Sequence, residues 1–289
     1  MSTMLETTKW SERRRRSTEL AERWPFAAEV LDFYAALLDA QEAIFCEARA
    51  RAPESARIAA FAVEFAVPRV IETSIDRGPE RLGAALLERF HEADIEDLIA
   101  CWLGEGELST VERYLTRAAV SPILEALDQN SVAAATVGPR DDRHCPACGG
   151  VPQMSYFATS AEDLVTSHRY LECARCATAW PFTRMVCASC GESETKNLST
   201  YSEIGALEAE LSGGVVKHLP GAAKDARPVA QLPHLRIDGC QTCKKYILNV
   251  DLSRDGRAVP VVDELAALPL DLYAKELGMS KIAPNLMGF

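Results

Sequence analysis

The chain has 289 residues, 48% of them hydrophobic and 25% charged, and a net charge of −11. That length allows about two domains with proper cores, and the composition excludes a disordered chain. The negative charge excludes nucleic-acid binding other than through a local basic patch, and no apolar run is long enough for a membrane span.

The opening "MSTMLETTKWSERRRRSTEL" carries four arginines, Arg13 to Arg16. A twin-arginine export signal needs an apolar stretch next, whereas Glu19, Glu22 and Arg23 follow. The segment reads as a frayed, solvated end leading into a helix, and the chain as cytoplasmic. In "PFAAEVLDFYAALLDAQEAIF", Phe26, Val30, Tyr34, Leu37, Leu38, Ile44 and Phe45 recur at three- and four-residue steps, the spacing of one buried helical face. Pro25 suits a first turn. A second helix is expected to end near Pro68, and "GPERLGAALLERFHEADIEDLIACWLG" to hold one or two more. Ser121-Pro122 is expected to open a later one at "SPILEALDQN". Helices joined by short loops imply a bundle, residues 1–136. Cys46 and Cys101 lie in apolar helical surroundings and are expected in its core. "TVGPRDDRH", 136–144, has the Gly, Pro and charge of a linker.

After it the texture changes. "VPQMSYF", "RYLEC", "AWPFTRMVC", "NLSTYS", "LRIDGC" and "KKYILNVDL" are short runs rich in β-branched and aromatic residues, bounded by turn signals. The tail, 257–289, returns to helical spacing at Leu265, Leu268 and Leu272 and is expected to pack back on the ribbons or the bundle. The fold class is therefore α+β: a helical bundle, two metal-binding ribbons over 144–186 and 187–252, and a short C-terminal helix.

The ribbons are read from cysteine. Eight of the ten cysteines fall as four C-x-x-C pairs: Cys145/Cys148, Cys173/Cys176, Cys187/Cys190 and Cys240/Cys243. In a reducing compartment such pairs point to metal before disulfide. The region repeats: a C-x-x-C-G, then a strand running into a second C-x-x-C, then another strand. Two cysteines separated by two residues can reach one ion from a tight turn, and two facing turns make a closed tetrahedral site. Gly149 and Gly191 suit the left-handed conformation that turns the next N–H groups toward sulfur. The expected sites are sequential, Cys145/Cys148/Cys173/Cys176 and Cys187/Cys190/Cys240/Cys243, with an interleaved pairing as the alternative. Four thiolates suit iron and zinc alike, and leave no open position for a substrate. His144, His168, His218 and His234 read as bystanders, because cysteine already fills each site. No phosphate loop and no Ser-His-Asp or Cys-His pairing is present at a supporting spacing, so no enzymatic site is expected.

At this point "CPACG…RYLECARCATAWPFTRMVCASCG", "CQTCKKYI" and "VVDELAALPLDLYAKELG…PNL" resemble the formate dehydrogenase accessory protein family, FdhE. The resemblance extends to Arg169-Tyr170-Leu171 before the second pair, Trp180, Arg184 and Tyr246, and to the N-terminal "PFAAEVLDFYAALLDAQ". It implies rubredoxin-like modules that bind two metal ions, iron before zinc, on the eight paired cysteines. It also implies a cytoplasmic, non-enzymatic role in maturation of formate dehydrogenase, with the catalytic subunit as partner. On this reading Tyr170, Trp180 and Tyr246 either face that partner or cover small ribbon cores. The stretch 211–233, "LSGGVVKHLPGAAKDARPVAQLP", makes the second ribbon longer than the family leads one to expect. The alternatives are a nucleic-acid-binding zinc ribbon and an electron-transfer protein. Against the former, ten basic residues between Cys145 and Asp251 face eleven acids, so no nucleic-acid partner is expected.

Overall fold

The computed structural model describes residues 2–158, 168–203 and 230–289. The fold is α+β, in two compact units. One holds residues 1–150, 175–178 and 286–288; the other holds 151–174, 179–285 and 289.

The first unit is helical. Helix α1 (Ser2–Arg23) lies against α2 (Ala28–Arg51). The expected frayed, solvated end is instead part of the packing: Trp10, Arg13, Arg16, Ser17 and Leu20 are buried. Lys9 and Arg13 reach Glu125 at 2.6 and 3.2 Å, and Arg14 pairs with Glu42 and Asp39. Arg13 and Arg16 are buried yet paired, Arg13 with Glu125 and Arg16 with Glu19, which a count of charges along the chain does not reveal. Helix α2 buries Tyr34, Leu37, Leu38, Ile44 and Phe45 as its spacing predicts, while Phe26, before its start, is 46% exposed. Cys46 corrects the sequence reading. It is exposed, because it stands about 100° round the helix from the inward-facing Phe45.

Pro68 does not end its helix. Helix α3 (Ile58–Phe61) passes through a π turn, Ala62–Ala66, into α4 (Val67–Arg77). The wider turn accommodates a residue that lacks an N–H and crowds the preceding carbonyl. Helices α5 (Glu80–Glu92) and α6 (Ile95–Leu103) follow, the latter capped by the Asp94 carboxylate. Nor does Ser121-Pro122 open a helix, since Pro122 lies buried inside α7 (Thr110–Ala126). The true start is a capping box at Ser109 and Glu112, legible as "STVE". Helix α8 (Gln129–Ala135) starts afresh on Asp128.

Burial alone would raise the Glu125 carboxyl, but the charges of Arg13 and Lys9 outweigh it and hold its pKa below the ordinary range. A depressed carboxylate stabilises the fold above its unfolded pKa and loses that contribution as pH falls through its folded one. Glu125→Gln is therefore expected to cost about 1.5–3 kcal/mol at pH 7. The gap to wild type should close as urea midpoints are followed down through the carboxylate range; a gap constant with pH would refute the ion-pair account.

The second unit is built on one sheet. Its strands are β1 (Pro152–Phe157), β2 (Arg169–Cys173), β3 (Ala179–Phe182), β4 (Leu198–Tyr201), β5 (Leu235–Cys240) and β6 (Lys245–Asp251). The order is β3-β2-β1-β6-β5-β4. The sequence repeat is thus two antiparallel three-strand meanders, joined where β1 runs parallel to β6. Joining them pairs two edges that separate ribbons would leave open. Buried Arg169 bolts the joint: it donates to Ser155 Oγ on β1 at 2.8 Å and to the Val186 carbonyl at 3.0 Å, and pairs with Asp238 on β5 at 3.4 Å. Of the long stretch 211–233, residues 211–229 lie outside the described residues. At its close, Leu232 N–H donates to the Glu203 carboxylate at 2.9 Å.

The tail packs on this sheet as α9 (Pro260–Ala266), α10 (Leu268–Glu276) and a short strand β7 (Ser280–Lys281) parallel to β6. It is two helices rather than one. The break at Ala267 resets the helical phase, so Leu270, Asp271 and Ala274 turn inward and Leu272 is left 53% exposed. Lys281 lies between two buried carboxylates, 2.6 Å from Glu264 and 3.1 Å from Asp271. Tyr246 Oη donates to Asp271 at 2.7 Å, and Gln153 donates to Glu264. Among the described residues, no helix is long and apolar enough to cross a membrane.

Candidate metal centre

The four C-x-x-C pairs meet as two groups of four, Cys145/Cys148/Cys173/Cys176 and Cys187/Cys190/Cys240/Cys243. The pairing is sequential. Within each group the sulfurs all lie within 4.8 Å of one another. The sulfurs lie 3.6 Å apart for Cys145–Cys176, 3.5 Å for Cys148–Cys176, and 3.8 Å for both Cys187–Cys243 and Cys190–Cys240. None of the ten cysteines is bridged. Sulfurs at about 2.3 Å from a central ion stand about 3.8 Å apart at tetrahedral angles, so the donor sets fit such an ion.

Backbone geometry brings the sulfurs together. The residue after the second cysteine of each pair is left-handed: Gly149 (φ +75°), Ala177 (+54°), Gly191 (+79°) and Lys244 (+56°). The two glycines are as the sequence leads one to expect, whereas alanine and lysine accept a conformation that costs an L-residue about 1–2 kcal/mol. Gly149 is constrained twice, since a Cβ there would stand 2.7 Å from the Gly138 backbone. Gly149→Ala should therefore cost at least about 1–2 kcal/mol, while Ala177→Gly or Lys244→Gly should gain about 0.5–1 kcal/mol. Thermal denaturation of the metal-loaded chain reads all three, and a stabilising Gly149→Ala would contradict the turn geometry.

The turns also aim donors at sulfur. Gly150 N–H lies 3.3 Å from Cys148 Sγ and Ser189 N–H 3.4 Å from Cys187 Sγ. Burial pushes the Cys187 thiol up to about 12. On Cys240 burial acts the same way, but the N–H groups of Cys243 and Thr242 outweigh it and hold that thiol below its ordinary range. Sulfurs this close and this shielded become thiolates together only around a cation.

Two side chains that sequence reasoning did not single out secure the turns. Arg175 donates to the Cys148 carbonyl at 3.2 Å and the Val137 carbonyl at 3.1 Å, and pairs with Glu105 at 3.0 Å. Glu192 accepts from Thr242 Oγ1 at 2.5 Å and Asn197 Nδ2 at 2.9 Å, linking both turns of the second group. A polar residue beside each pair was the available signal, but its partner lies far off in sequence.

No described histidine belongs to either group. His144 pairs with Asp141 at 2.6 Å, and buried His234 with Asp263 at 2.7 Å. His168 is exposed and His218 lies outside the described residues. Of the three aromatics expected near the metals, Trp180 and Tyr246 are buried, so neither offers a surface; Tyr246 is held by its bond to Asp271. Tyr170 is half-buried and stacked on Tyr156 at 5.5 Å. Cys101 is half-buried, its sulfur 3.8 Å from the Glu107 carbonyl.

Fold and site together define a protein with two four-cysteine clusters on a doubled ribbon sheet, preceded in sequence by a helical unit. Family models for the FdhE central domain match residues 144–184, and for the FdhE C-terminal domain residues 221–287. An FdhE homologue of Aquifex aeolicus is 28% identical over 207 residues, 70% of this chain and 61% of that protein. One of Pseudomonas aeruginosa is 32% identical over 143 residues, 50% of this chain and 38% of that protein. The crystal structure of the FdhE protein from Pseudomonas aeruginosa superimposes with a TM-score of 0.64 at 23% identity, covering 96% of this chain and 95% of that one. The chain therefore matches FdhE domain models over these two stretches and shares the fold of an FdhE protein. Its aligned stretch thus spans less than two thirds of these curated relatives.

Proposed function

We propose that this chain is a cytoplasmic accessory factor in the maturation of formate dehydrogenase. It binds the catalytic subunit and holds two metal ions, one on Cys145, Cys148, Cys173 and Cys176 and one on Cys187, Cys190, Cys240 and Cys243. Iron is favoured over zinc on family resemblance. The observation that carries the reading is the pair of clusters with tetrahedral sulfur spacing, set in stretches that match the FdhE central and C-terminal domain models. A closed four-thiolate site leaves no coordination position for a substrate, which supports a structural or redox metal and a role without catalysis.

Capture of the tagged protein from anaerobic extract, with mass spectrometry of what accompanies it, tests this. The expected result is a formate dehydrogenase catalytic subunit held by wild type and lost from Cys145→Ser and Cys240→Ser. Metal analysis of the same sample should return two ions per chain, mainly iron. Recovery of nucleic acid and ribosomal proteins instead would favour the zinc-ribbon alternative.

A further inference from the structure

The two clusters share a donor set but not surroundings. All four cysteines of the first are buried, none more than 4% exposed. Its first turn is fixed by backbone-level contacts: Gly149 abuts Gly138, Arg175 holds the Cys148 carbonyl, and Arg140 donates to the Ala147 carbonyl at 3.4 Å. In the second cluster Cys187 and Cys240 are buried, but Cys190 is exposed and Cys243 is half-buried. Its two turns are tied through Glu192, whose carboxylate accepts from Thr242 Oγ1 in an exposed hydrogen bond and from Asn197 Nδ2 in a half-buried one.

Ligand exchange at a tetrahedral four-thiolate ion needs two things. An incoming soft donor must reach the ion, and one thiolate must swing out to admit it. Burial denies the first and a rigid turn the second, while exposed hydrogen bonds and few packing contacts lower the free energy of local opening. Both conditions favour the second cluster, on the side of Cys190 and Cys243.

Resting on the metal-binding reading above, we infer that the second cluster is the exchange-competent centre and the first the permanent one. A thiol or chelating ligand enters the second site past Cys190, and its ion leaves and returns while the first stays in place.

The test uses the full chain loaded with two zinc ions and challenged with 4-(2-pyridylazo)resorcinol, with native mass spectrometry of the intermediates. One ion should leave at least about tenfold faster than the other, the gap expected of sites that differ in local opening. Cys173→Ser should retain only the fast ion and Cys240→Ser only the slow one. Should either variant fail to fold, brief N-ethylmaleimide treatment of the wild type and peptide mapping decide the matter. Cys190 and Cys243 should be alkylated before Cys145, Cys148, Cys173 and Cys176, with exposed Cys46 as the free-thiol reference. Both ions leaving in one phase, or the first cluster labelled first, would overturn the inference and leave the metal reading intact. A folded wild type that never holds two ions overturns the metal reading itself.

Discussion

Stripping both metals with a strong chelator is expected to unfold the sheet while helices such as α2 and α7 persist. A structural four-thiolate ion contributes on the order of 10 kcal/mol or more of folding free energy. Two of them together exceed the roughly 5–15 kcal/mol by which a whole domain is ordinarily stable. The sheet's apolar interior, with Met154, Leu171, Ile237, Leu248 and Leu265 buried, offsets part of that loss. The helices have their own core in Leu31, Leu37, Leu38, Ile44, Ile99, Leu115 and Ile123. Hydrogen exchange read by mass spectrometry is the measurement. Strands β1, β2, β5 and β6 should lose protection on chelation and regain it on adding metal back, with α2 and α7 unchanged. Full protection of β1 and β6 in the metal-free chain would mean that the sheet core and tail suffice, and that the ions are passengers.

The second large effect is expected at Lys281→Met. Lys281 is the cation set between Glu264 and Asp271, and both carboxylates are essentially inaccessible to water. Removing one member of a buried charge group leaves the others uncompensated, typically at about 3–5 kcal/mol. Burial already raises the Glu264 pKa, with the nearby Lys281 opposing it. Without the lysine, Glu264 takes up a proton on folding at still higher pH. The variant is therefore expected to be least destabilised in acid, where the carboxylates are neutral in folded and unfolded chains alike, and most destabilised toward pH 8. Denaturant midpoints at several pH values check both magnitude and sign. A loss independent of pH would assign Lys281 a packing role only. Because β7 pairs with β6 just after Cys243, loosening the tail should also speed metal loss from the second cluster.

Much of this protein was legible in its sequence for a local reason. A C-x-x-C turn is made within a few residues, so the four pairs, the left-handed glycines after two of them and the doubled strand pattern could be read directly. The inward face of α2 could be read as well, because helical periodicity is also local. Errors arose where a long-range contact overrides a local signal. Four arginines read as solvent-facing until Glu125, Glu42 and Asp39 meet some of them. Pro68 and Pro122 read as helix boundaries until a π turn and a buried helix interior absorb them.

By itself, then, the sequence determined the candidate donors: which eight cysteines, in which four C-x-x-C pairs, with a left-handed glycine after two of them. Its short-range spacings encode turns, and turns place sulfurs. Only the tertiary structure decided that the ribbons share one sheet through the β1–β6 pair, with Arg169 at the joint. It also decided that Tyr246 and Trp180 face inward, and that one cluster is sealed while the other reaches the surface. Burial depends on which distant segment covers a residue, and no local pattern in the chain specifies that cover.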